Sequence, residues 1–338
     1  MNMLEELRKL PKAELHLHIE GTLEPELLFT LAKRNNILLP YKDIDELKDK
    51  YHFHDLQSFL DIYYNGTNVL ITKQDFYDLT FAYLAKAKQD GIRHVEIFFD
   101  PQSHVSRGIE FKDVIEGISE ALEQGKKEFG ISYFIIMSFL RHLSQENALE
   151  VLEMALPYKD KIKAVGLDSS ELGNPPSKFV ELFKKCKENN FLTVAHAGEE
   201  GPASYIWEAL NLLEIERIDH GIRCTEDPEL LKTIIQKNIP LTVCPLSNIK
   251  LKVYQEMKEH NVKKLFDLGV KVTINSDDPA YFGGYLLENY IQCHNELGFT
   301  YKDMCDISKN SIEASFLSSA DKLKLIKEID SLNQKTIV

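Results

Sequence analysis

The feature that most constrains the fold of this chain is a regular alternation of short β-rich runs with longer amphipathic helical patterns. Eight such runs occur along the 338 residues, at 13–19, 92–99, 131–140, 164–168, 191–197, 217–219, 240–243 and 271–275. Eight strand-helix units are the number that closes a (β/α)8 barrel. The sequence therefore predicts the α/β class and a TIM barrel, with residues 1–338 forming a single domain.

One connection between predicted strands is much longer than the others. Residues 21–90 separate the first strand from the second, which is enough for several helices inserted into the barrel. Within this insertion Leu56, Phe59, Leu60 and Tyr63 recur at helical spacing. Such a stripe fits either an apolar lid over an active site or ordinary helix packing, which is the commoner cause. Extra helices are also expected at the C-terminus, after about residue 300.

The charge balance argues against two classes of partner. The chain has 40 Lys and Arg against 53 Asp and Glu, a formal net charge of −13. A charge of this sign repels nucleic acid phosphates and anionic lipid. The longest apolar stretch, residues 133–140, is too short to span a bilayer, and the N-terminal residues mix acids with bases, unlike a secretory signal. We therefore expect a cytoplasmic protein that binds neither nucleic acid nor membrane.

The cysteines give no sign of a disulfide framework or of a cysteine-based zinc site. They are odd in number, widely spaced and never in a C-x-x-C pair: Cys186, Cys224, Cys244, Cys293 and Cys305. We expect five reduced thiols, most of them buried.

His16 and His18 form an H-x-H pair at the end of the first predicted strand. Side chains two residues apart on a strand point the same way, so the two imidazoles converge as a metal site requires. The same spacing recurs at His52 and His54, but that pair follows no clear strand, and we interpret it as surface or packing residues. The first pair is therefore the predicted half of a metal site.

Two later strand ends supply further ligands. His196 lies at the end of the fifth predicted strand, and Asp277 follows the eighth. Because all strand C-termini of a barrel open on one face, these residues can meet the first pair there. Three imidazoles and one carboxylate can hold zinc and leave room for a water, whose pKa zinc lowers to about 7. We predict one zinc ion per chain, bound by His16, His18, His196 and Asp277.

Three more polar residues are predicted to share this face. Glu199 lies at a Gly-marked turn after the fifth strand, and His220 ends the sixth. Asp278 directly follows Asp277, so both can enter the site only if the strand ends or bulges there, and Pro279 favours an ending. Taken singly, each has a structural alternative: a solvated loop acid for Glu199, a core histidine for His220 and a helix N-cap for Asp278.

Five motifs of this chain stand in the same order as those of the adenosine and adenine deaminase family. They are HLHIEG at 16–21, HAGE at 196–199, DHG at 219–221, CPLSN at 244–248 and NSDDP at 275–279. From about residue 10 to about residue 290 the chain thus resembles a family of zinc-bearing (β/α)8 barrels that replace the 6-amino group of a purine with oxygen. The resemblance implies a hydrolase with a small-molecule purine substrate, and it leaves a homo-oligomer open.

The same resemblance implies a role for each candidate residue. The residues matching the family's metal ligands are His16, His18, His196 and Asp277. Glu199 matches the proton donor, which would protonate N1 of the ring. His220 matches the group that orients the attacking water, and Asp278 matches a ligand of the substrate ring.

The run VGLDSSELGNPP at 165–176 bears on the choice of substrate. Family members that act on nucleosides typically have glycine about three residues after the equivalent of Asp168, where this chain has Glu171. Together with VEIFFDPQ at 95–102, this run resembles the branch that acts on free adenine. We therefore predict deamination of adenine to hypoxanthine and ammonia. Glu171 would bind the edge of the base to which ribose is attached in a nucleoside; its alternative is an acid near the start of a helix.

Other activities remain open from the sequence. Adenosine and N6-substituted adenines are alternative substrates, and a catalytically silent purine-binding barrel is an alternative of another class. The joint presence of Glu199 and all four ligands counts against a silent barrel. A barrel hydrolase acting on an ester or amide would usually need a second metal with a bridging Lys, and no Lys ends the fourth predicted strand.

Overall fold

The structure, a computed structural model, describes residues 3–336 and the side chains of residues 3–332. Eight parallel strands form one sheet within this part of the chain. In chain order, β1 to β8 are Lys12–Glu14, Ile92–Phe99, Ser132–Leu140, Ile162–Asp168, Leu192–Ala197, Arg217–His220, Leu241–Val243 and Val272–Ile274. Each strand pairs with the next one along the chain, so the spatial order follows the sequence.

The sheet closes on itself between its first and last strands. The backbone N–H of His18 donates to the carbonyl of Asp277 at 3.0 Å, and the N–H of Asp277 donates to the carbonyl of His16 at 3.1 Å. A parallel bridge between Leu17 and Asp277 marks the same seam. The predicted TIM barrel is therefore confirmed.

The first strand is shorter than predicted. β1 ends at Glu14, so the expectation of a strand over 13–19 is wrong beyond that residue. The next backbone N–H, that of Leu15, donates to the side-chain Oδ1 of Asn275 at 2.8 Å instead of to a strand carbonyl. Because this side chain interrupts the backbone ladder, His16 and His18 lie on a segment that continues past the regular strand.

Helices surround the barrel and fill the long insertion. In chain order, α1 to α17 are Met3–Lys9, Pro25–Arg34, Ile44–Lys48, Leu56–Thr67, Lys73–Gln89, Pro101–Val105, Phe111–Phe129, Gln145–Ala155, Val180–Glu188, Ala203–Glu208, Pro228–Gln236, Pro245–Lys250, Val262–Asp267, Pro279–Phe282, Leu286–Leu297, Tyr301–Ala314 and Ser319–Thr336. Short 3₁₀ turns occur at Glu20–Thr22, Leu156–Tyr158, Pro176–Phe179, Ile222–Glu226 and Met257–Glu259, and a π turn at Ala209–Leu213. The helices α16 and α17 are those expected at the C-terminus.

The insertion at 21–90 contains the helices α2 to α5. The start of α4 is set by Asp55, whose carboxylate accepts the backbone N–H of Ser58 at 2.8 Å, satisfying an otherwise unpaired helix donor. The apolar stripe of the sequence lies on one face of α4. Its members are all buried: Leu56, Phe59, Leu60 and Tyr63.

Apolar packing occurs on both faces of the sheet. Inside the barrel a small cluster consists of Phe98, Ile136, Ala164 and Val194, while the outer face packs against the helices in a much larger core. The ring of Phe98 lies 5.2 Å from that of His16. The inner cluster therefore packs, through Phe98, against the histidine that follows the first strand.

The cysteines and the apolar content of the helices bear on two expectations from composition. All five cysteines are free and buried, as predicted. Among residues 3–336, no helix is long and apolar enough to cross a bilayer.

Candidate metal centre and active site

The four predicted metal ligands meet at the carboxyl ends of the strands. Oδ1 of Asp277 lies 3.2 Å from Nε2 of His16 and 3.4 Å from Nε2 of His18. Nε2 of His18 lies 3.1 Å from Nε2 of His196. Ligands bound at about 2.1 Å to one tetrahedral ion are about 3.4 Å apart. The four buried groups therefore have the spacing needed to surround a single cation.

The tautomers that the surroundings of His18 and His196 favour also fit a bound cation. Nδ1 of His18 faces the carboxylate of Asp168 at 3.5 Å, and Nδ1 of His196 faces that of Asp219 at 3.6 Å. Carboxylates at these positions favour Nδ1–H tautomers, which leave Nε2 as a lone pair. Burial, followed by the neighbouring imidazoles, also holds the pKa of His196 well below its usual range. Two lone pairs facing each other at 3.1 Å are stabilised by a cation between them.

Asp219 and Thr242 form a hydrogen-bonded support for His16. The hydroxyl of Thr242 donates to Oδ1 of Asp219 at 2.8 Å and lies 2.9 Å from Nδ1 of His16. No role was predicted from the sequence for Asp219, Thr242 or Asp168. The available signal was position, because the two acids, like the ligands, lie at the carboxyl ends of their strands, where carboxylates commonly orient metal-bound histidines.

The sharp end of the eighth strand brings two adjacent acids to the site. β8 stops at Ile274, and Asp277 has a φ of 64°, in the left-handed region. Asp277 and Asp278 can therefore both line the central cavity, as the sequence required of a strand that ends there. His220 has a similar φ of 62° at the end of β6. Such strained conformations often occur at functional sites.

Glu199 and His220 face each other inside the cavity. Oε2 of Glu199 lies 3.5 Å from Nε2 of His220, which in turn lies 3.8 Å from Oδ2 of Asp277. Burial, followed by the negative charge of Asp277, raises the pKa of Glu199 well above its usual range. Burial lowers the pKa of His220 to about 3. These shifts favour the protonated form of the acid and the neutral form of the imidazole.

Asp278 points into the space next to Gly21. Its Oδ1 is buried and has no hydrogen-bond partner among the described residues. A Cβ on Gly21 would lie 2.0 Å from this oxygen, so glycine is required for the approach of the two segments. Burial, then the charge of Asp277, raises the pKa of Asp278 well above its usual range. An unpaired carboxyl of this kind is available to a ligand.

The central cavity is lined by both polar and apolar side chains. Its polar lining includes three of the ligands together with three other residues: His18, His196, Asp277, Glu199, His220 and Asp278. The apolar lining comes largely from α4 and from the ends of two later helices, α12 and α14: Leu56, Phe59, Leu60, Tyr63, Leu251 and Phe282. Such a space suits a flat aromatic molecule that carries polar edges.

Asp100 and Ser169 also line this cavity and were missed from the sequence. Burial, followed by the charge of Glu20, raises the pKa of Asp100 to about 8. The hydroxyl of Tyr64 donates to Oγ of Ser169 at 2.9 Å. Asp100 lies directly after β2, which was the signal that could have revealed it.

Glu171 does not lie where the sequence analysis expected it. Its side chain is buried but is absent from the residues that line the central cavity. The carboxylate instead accepts backbone N–H groups of the loop at 198–201, with that of Gly198 at 2.6 Å and that of Gly201 at 2.7 Å. Direct contact with a bound base is therefore not supported, because the carboxylate is already occupied by this loop.

The second H-x-H pair has no comparable surroundings. His52 and His54 are exposed, and neither belongs to a group of potential metal ligands within residues 3–332. The structure thus places this pair on the surface, in line with its interpretation.

Comparison with known families and proteins gives a consistent result. A family model described as adenosine deaminase matches residues 11–332. An adenine deaminase of Wolinella succinogenes is 58% identical over 330 residues, which is 97% of this chain and 100% of that protein. An adenine deaminase of Acinetobacter baylyi is 55% identical over 332 residues, covering 98% of this chain and 100% of the relative.

Solved structures resemble this fold over nearly its full length. The crystal structure of adenine deaminase from Arthrobacter aurescens has a TM-score of 0.95 and 50% identity, covering 96% of this chain and 99% of that one. An amidohydrolase of Burkholderia ambifaria, crystallised with bound Zn, has a TM-score of 0.90 at 24% identity and covers 98% of this chain and 94% of its own. At that lower identity the likeness concerns the fold.

Proposed function

Because the chain belongs to the adenosine deaminase family, we propose that it hydrolyses adenine to hypoxanthine and ammonia. The observation that carries this proposal is the position of buried Glu199 in a cavity that three of the four clustered metal ligands also line, namely His18, His196 and Asp277. Relatives named adenine deaminase, at 50–58% identity, favour adenine over adenosine or an N6-substituted adenine. The retained acid and ligands also disfavour a silent purine-binding barrel.

The reaction adds water at C6 of the purine and releases the 6-amino group as ammonia. Glu199 would donate its proton to N1, which lets electron density settle on that nitrogen as the oxygen adds to C6. A carboxyl can do this at neutral pH only if its pKa is raised, and burial raises that of Glu199. His220 would take the proton that the water loses and pass it to the 6-amino group, which then leaves as ammonia. The hydroxyl proton at C6 would return to Glu199 as the 6-oxo group forms, so both residues end as they began.

His220 and Asp278 would orient the two reactants. His220 is neutral and lies within 4 Å of both Glu199 and Asp277, so it can accept a hydrogen bond from the water on that side of the ring. Asp278 holds a buried oxygen without a partner among the described residues, and we assign it to N7 of the purine. The raised pKa of Asp278 favours the protonated form, which can donate to a ring nitrogen.

We assign zinc to the metal centre. The residues that would hold it are His16, His18, His196 and Asp277. Three imidazole nitrogens and one carboxylate oxygen form a donor set typical of catalytic zinc. When bound, zinc supplies the Lewis acidity that makes water nucleophilic near neutral pH.

Helix α4 would act as the lid of this site. Its residues Leu56, Phe59 and Leu60 line the same cavity as the metal ligands His18, His196 and Asp277. Covering the substrate with apolar side chains excludes bulk water and strengthens the electrostatic interactions inside. The N-terminus of α4 is hydrogen-bonded to the loop at 198–201, because the carboxylate of Glu200 accepts the backbone N–H of Leu56 at 3.1 Å.

The proposed function is tested by ammonia release from purified, zinc-loaded protein. Adenine, adenosine, AMP and N6-methyladenine are supplied separately, and kcat/KM is measured for each. We expect adenine to be preferred by a factor of about 10⁴, since polar mismatch at a buried edge discriminates strongly. Adenosine as the better substrate, or purine binding without any ammonia release, would contradict the proposal.

A further inference from the structure

The backbone of the loop that carries Glu199 is hydrogen-bonded to a single carboxylate, that of Glu171. Oε1 of Glu171 accepts the N–H of Gly198 at 2.6 Å. Its Oε2 accepts the N–H groups of Glu199, Glu200 and Gly201 at 3.1, 2.9 and 2.7 Å. Four consecutive backbone donors therefore converge on one side chain.

This arrangement is an anion site filled from within the protein. Successive N–H groups that point into one concavity bind anions such as phosphate, and here the anion is Glu171, with only 1% of its surface exposed. The loop is shaped for it: Gly198 has a φ of 74°, and a Cβ on Gly201 would lie 2.5 Å from Oε1 of Glu171. The four hydrogen bonds compensate the charge for its loss of water.

The segment that bears Glu171 is itself tied to the end of β5. Arg141 is buried and donates from Nε to the carbonyl of Asn174 at 2.8 Å and from a terminal nitrogen to the carbonyl of His196 at 2.7 Å. Arg141 therefore joins the loop after β4, which carries Glu171, to the end of β5. A fixed anchor of this kind can position what it binds.

The side chain of Glu199 has little of its own to hold it. Its Oε1 is buried without a hydrogen-bond partner among the described residues. Its Oε2 lies 3.5 Å from Nε2 of His220, which is longer than a normal hydrogen bond. The location of the carboxyl group therefore depends on its backbone, and Glu171 holds that backbone.

We propose that Glu171 is a positioning residue, which holds the loop 198–201 so that Glu199 delivers its proton to the substrate. The inference rests on the proposed function, in which Glu199 is the proton donor. The charge of Glu171 also acts on Glu199: after burial and the charges of Asp277 and Glu200, it contributes to raising the pKa of Glu199. Glu171 thus acts on the reaction through Glu199 and not by touching the purine.

The test is a double-mutant cycle between Glu171 and Glu199. Gln at position 171 keeps the size of the side chain but replaces one acceptor oxygen with an NH₂ group, which opposes the N–H donors of the loop. Glu171→Gln should lower kcat for adenine at least about 10-fold, the scale of a misplaced catalytic group. In the Glu199→Gln background the same change should lower kcat less than about 2-fold, because the group being positioned no longer donates a proton.

Two further measurements separate positioning from damage to the fold. Adenine affinity and zinc content should stay within about 3-fold of wild type in Glu171→Gln, since the side chain lies outside the cavity lining. The matched control is Glu216→Gln at the opposite end of β5, where a carboxylate accepts the N–H of Thr193 at 2.6 Å. This control should leave kcat unchanged.

Glu171→Asp provides a second, more conservative variant. It keeps the charge but is one methylene shorter, so we expect a smaller loss of kcat, again absent in the Glu199→Gln background. Equal losses in both backgrounds, or a loss confined to adenine affinity, would overturn the inference. Absence of adenine deamination by the wild type would instead contradict the proposed function.

Discussion

Oδ2 of Asp219 lies 3.6 Å from Nδ1 of His196. The other oxygen of the same carboxylate lies 3.9 Å from Nδ1 of His16 and accepts the hydroxyl of Thr242. One buried carboxylate thus faces the Nδ1 atoms of two of the four ligands. Arg217, at 3.8 Å from Oδ1, supplies a nearby positive charge that offsets the cost of burying it.

Replacing Asp219 should therefore weaken metal binding without removing a ligand. We expect Asp219→Asn to lower zinc affinity about 10- to 100-fold, the usual effect of losing a carboxylate behind a ligating histidine. Competition with a chelator of known affinity measures this directly. Asp43→Asn, which alters an exposed helix cap of α3, is the matched control. Unchanged zinc affinity in Asp219→Asn would show that the carboxylate does not tune the centre.

From the single cluster of four ligands among the described residues we predict the number of zinc ions bound per chain. Elemental analysis of active protein should find one zinc per chain, and the double variant His16→Ala, His196→Ala should lose it, because two of the four donors are gone. The exposed pair offers a control: His52→Ala, His54→Ala should retain full zinc content. Metal-free active protein, or full retention in the first double variant, would refute the assignment.

Glu199→Gln separates catalysis from binding. The amide has the shape of the acid but cannot deliver a proton, so turnover should fall at least about 100-fold, the scale of a positioned general acid. Zinc content and purine affinity should remain near wild type. Glu226→Gln, on the adjacent loop, should leave turnover intact. Near-normal turnover in Glu199→Gln would mean that another group donates the proton.

The pH profile of kcat/KM should decline on its alkaline side. Burial and the charge of Asp277 raise the pKa of Glu199, so the active protonated form persists to a higher pH than that of an ordinary Glu and is lost as the pH rises through the raised pKa. Rates measured with adenine from about pH 6 to about pH 10 would follow this limb. Glu199→Gln should lack it. A wild-type profile that rises steadily to the alkaline end would exclude a protonated Glu199 as the donor.

The local pattern of the sequence was sufficient for the barrel and the centres of its strands. Alternating apolar residues and helical stripes report on neighbours two to four positions apart, which is why β2, from Ile92 to Phe99, matched its predicted bounds. The residues His16, His18, His196 and Asp277 could be selected because every strand of such a barrel opens on one face, so position along a strand becomes position in space.

Contacts between distant segments could not be predicted from the local pattern of the sequence. The early end of β1 follows from the side chain of Asn275 taking the N–H of Leu15, 260 positions away. Glu171 turns away from the cavity because four N–H groups, 27 to 30 residues further along, offer a better partner for its charge. The sequence shows which side chains carry a charge or a hydrogen-bond donor. The direction in which a charge points depends on which unpaired groups the fold brings near it, because each buried charge must find compensation.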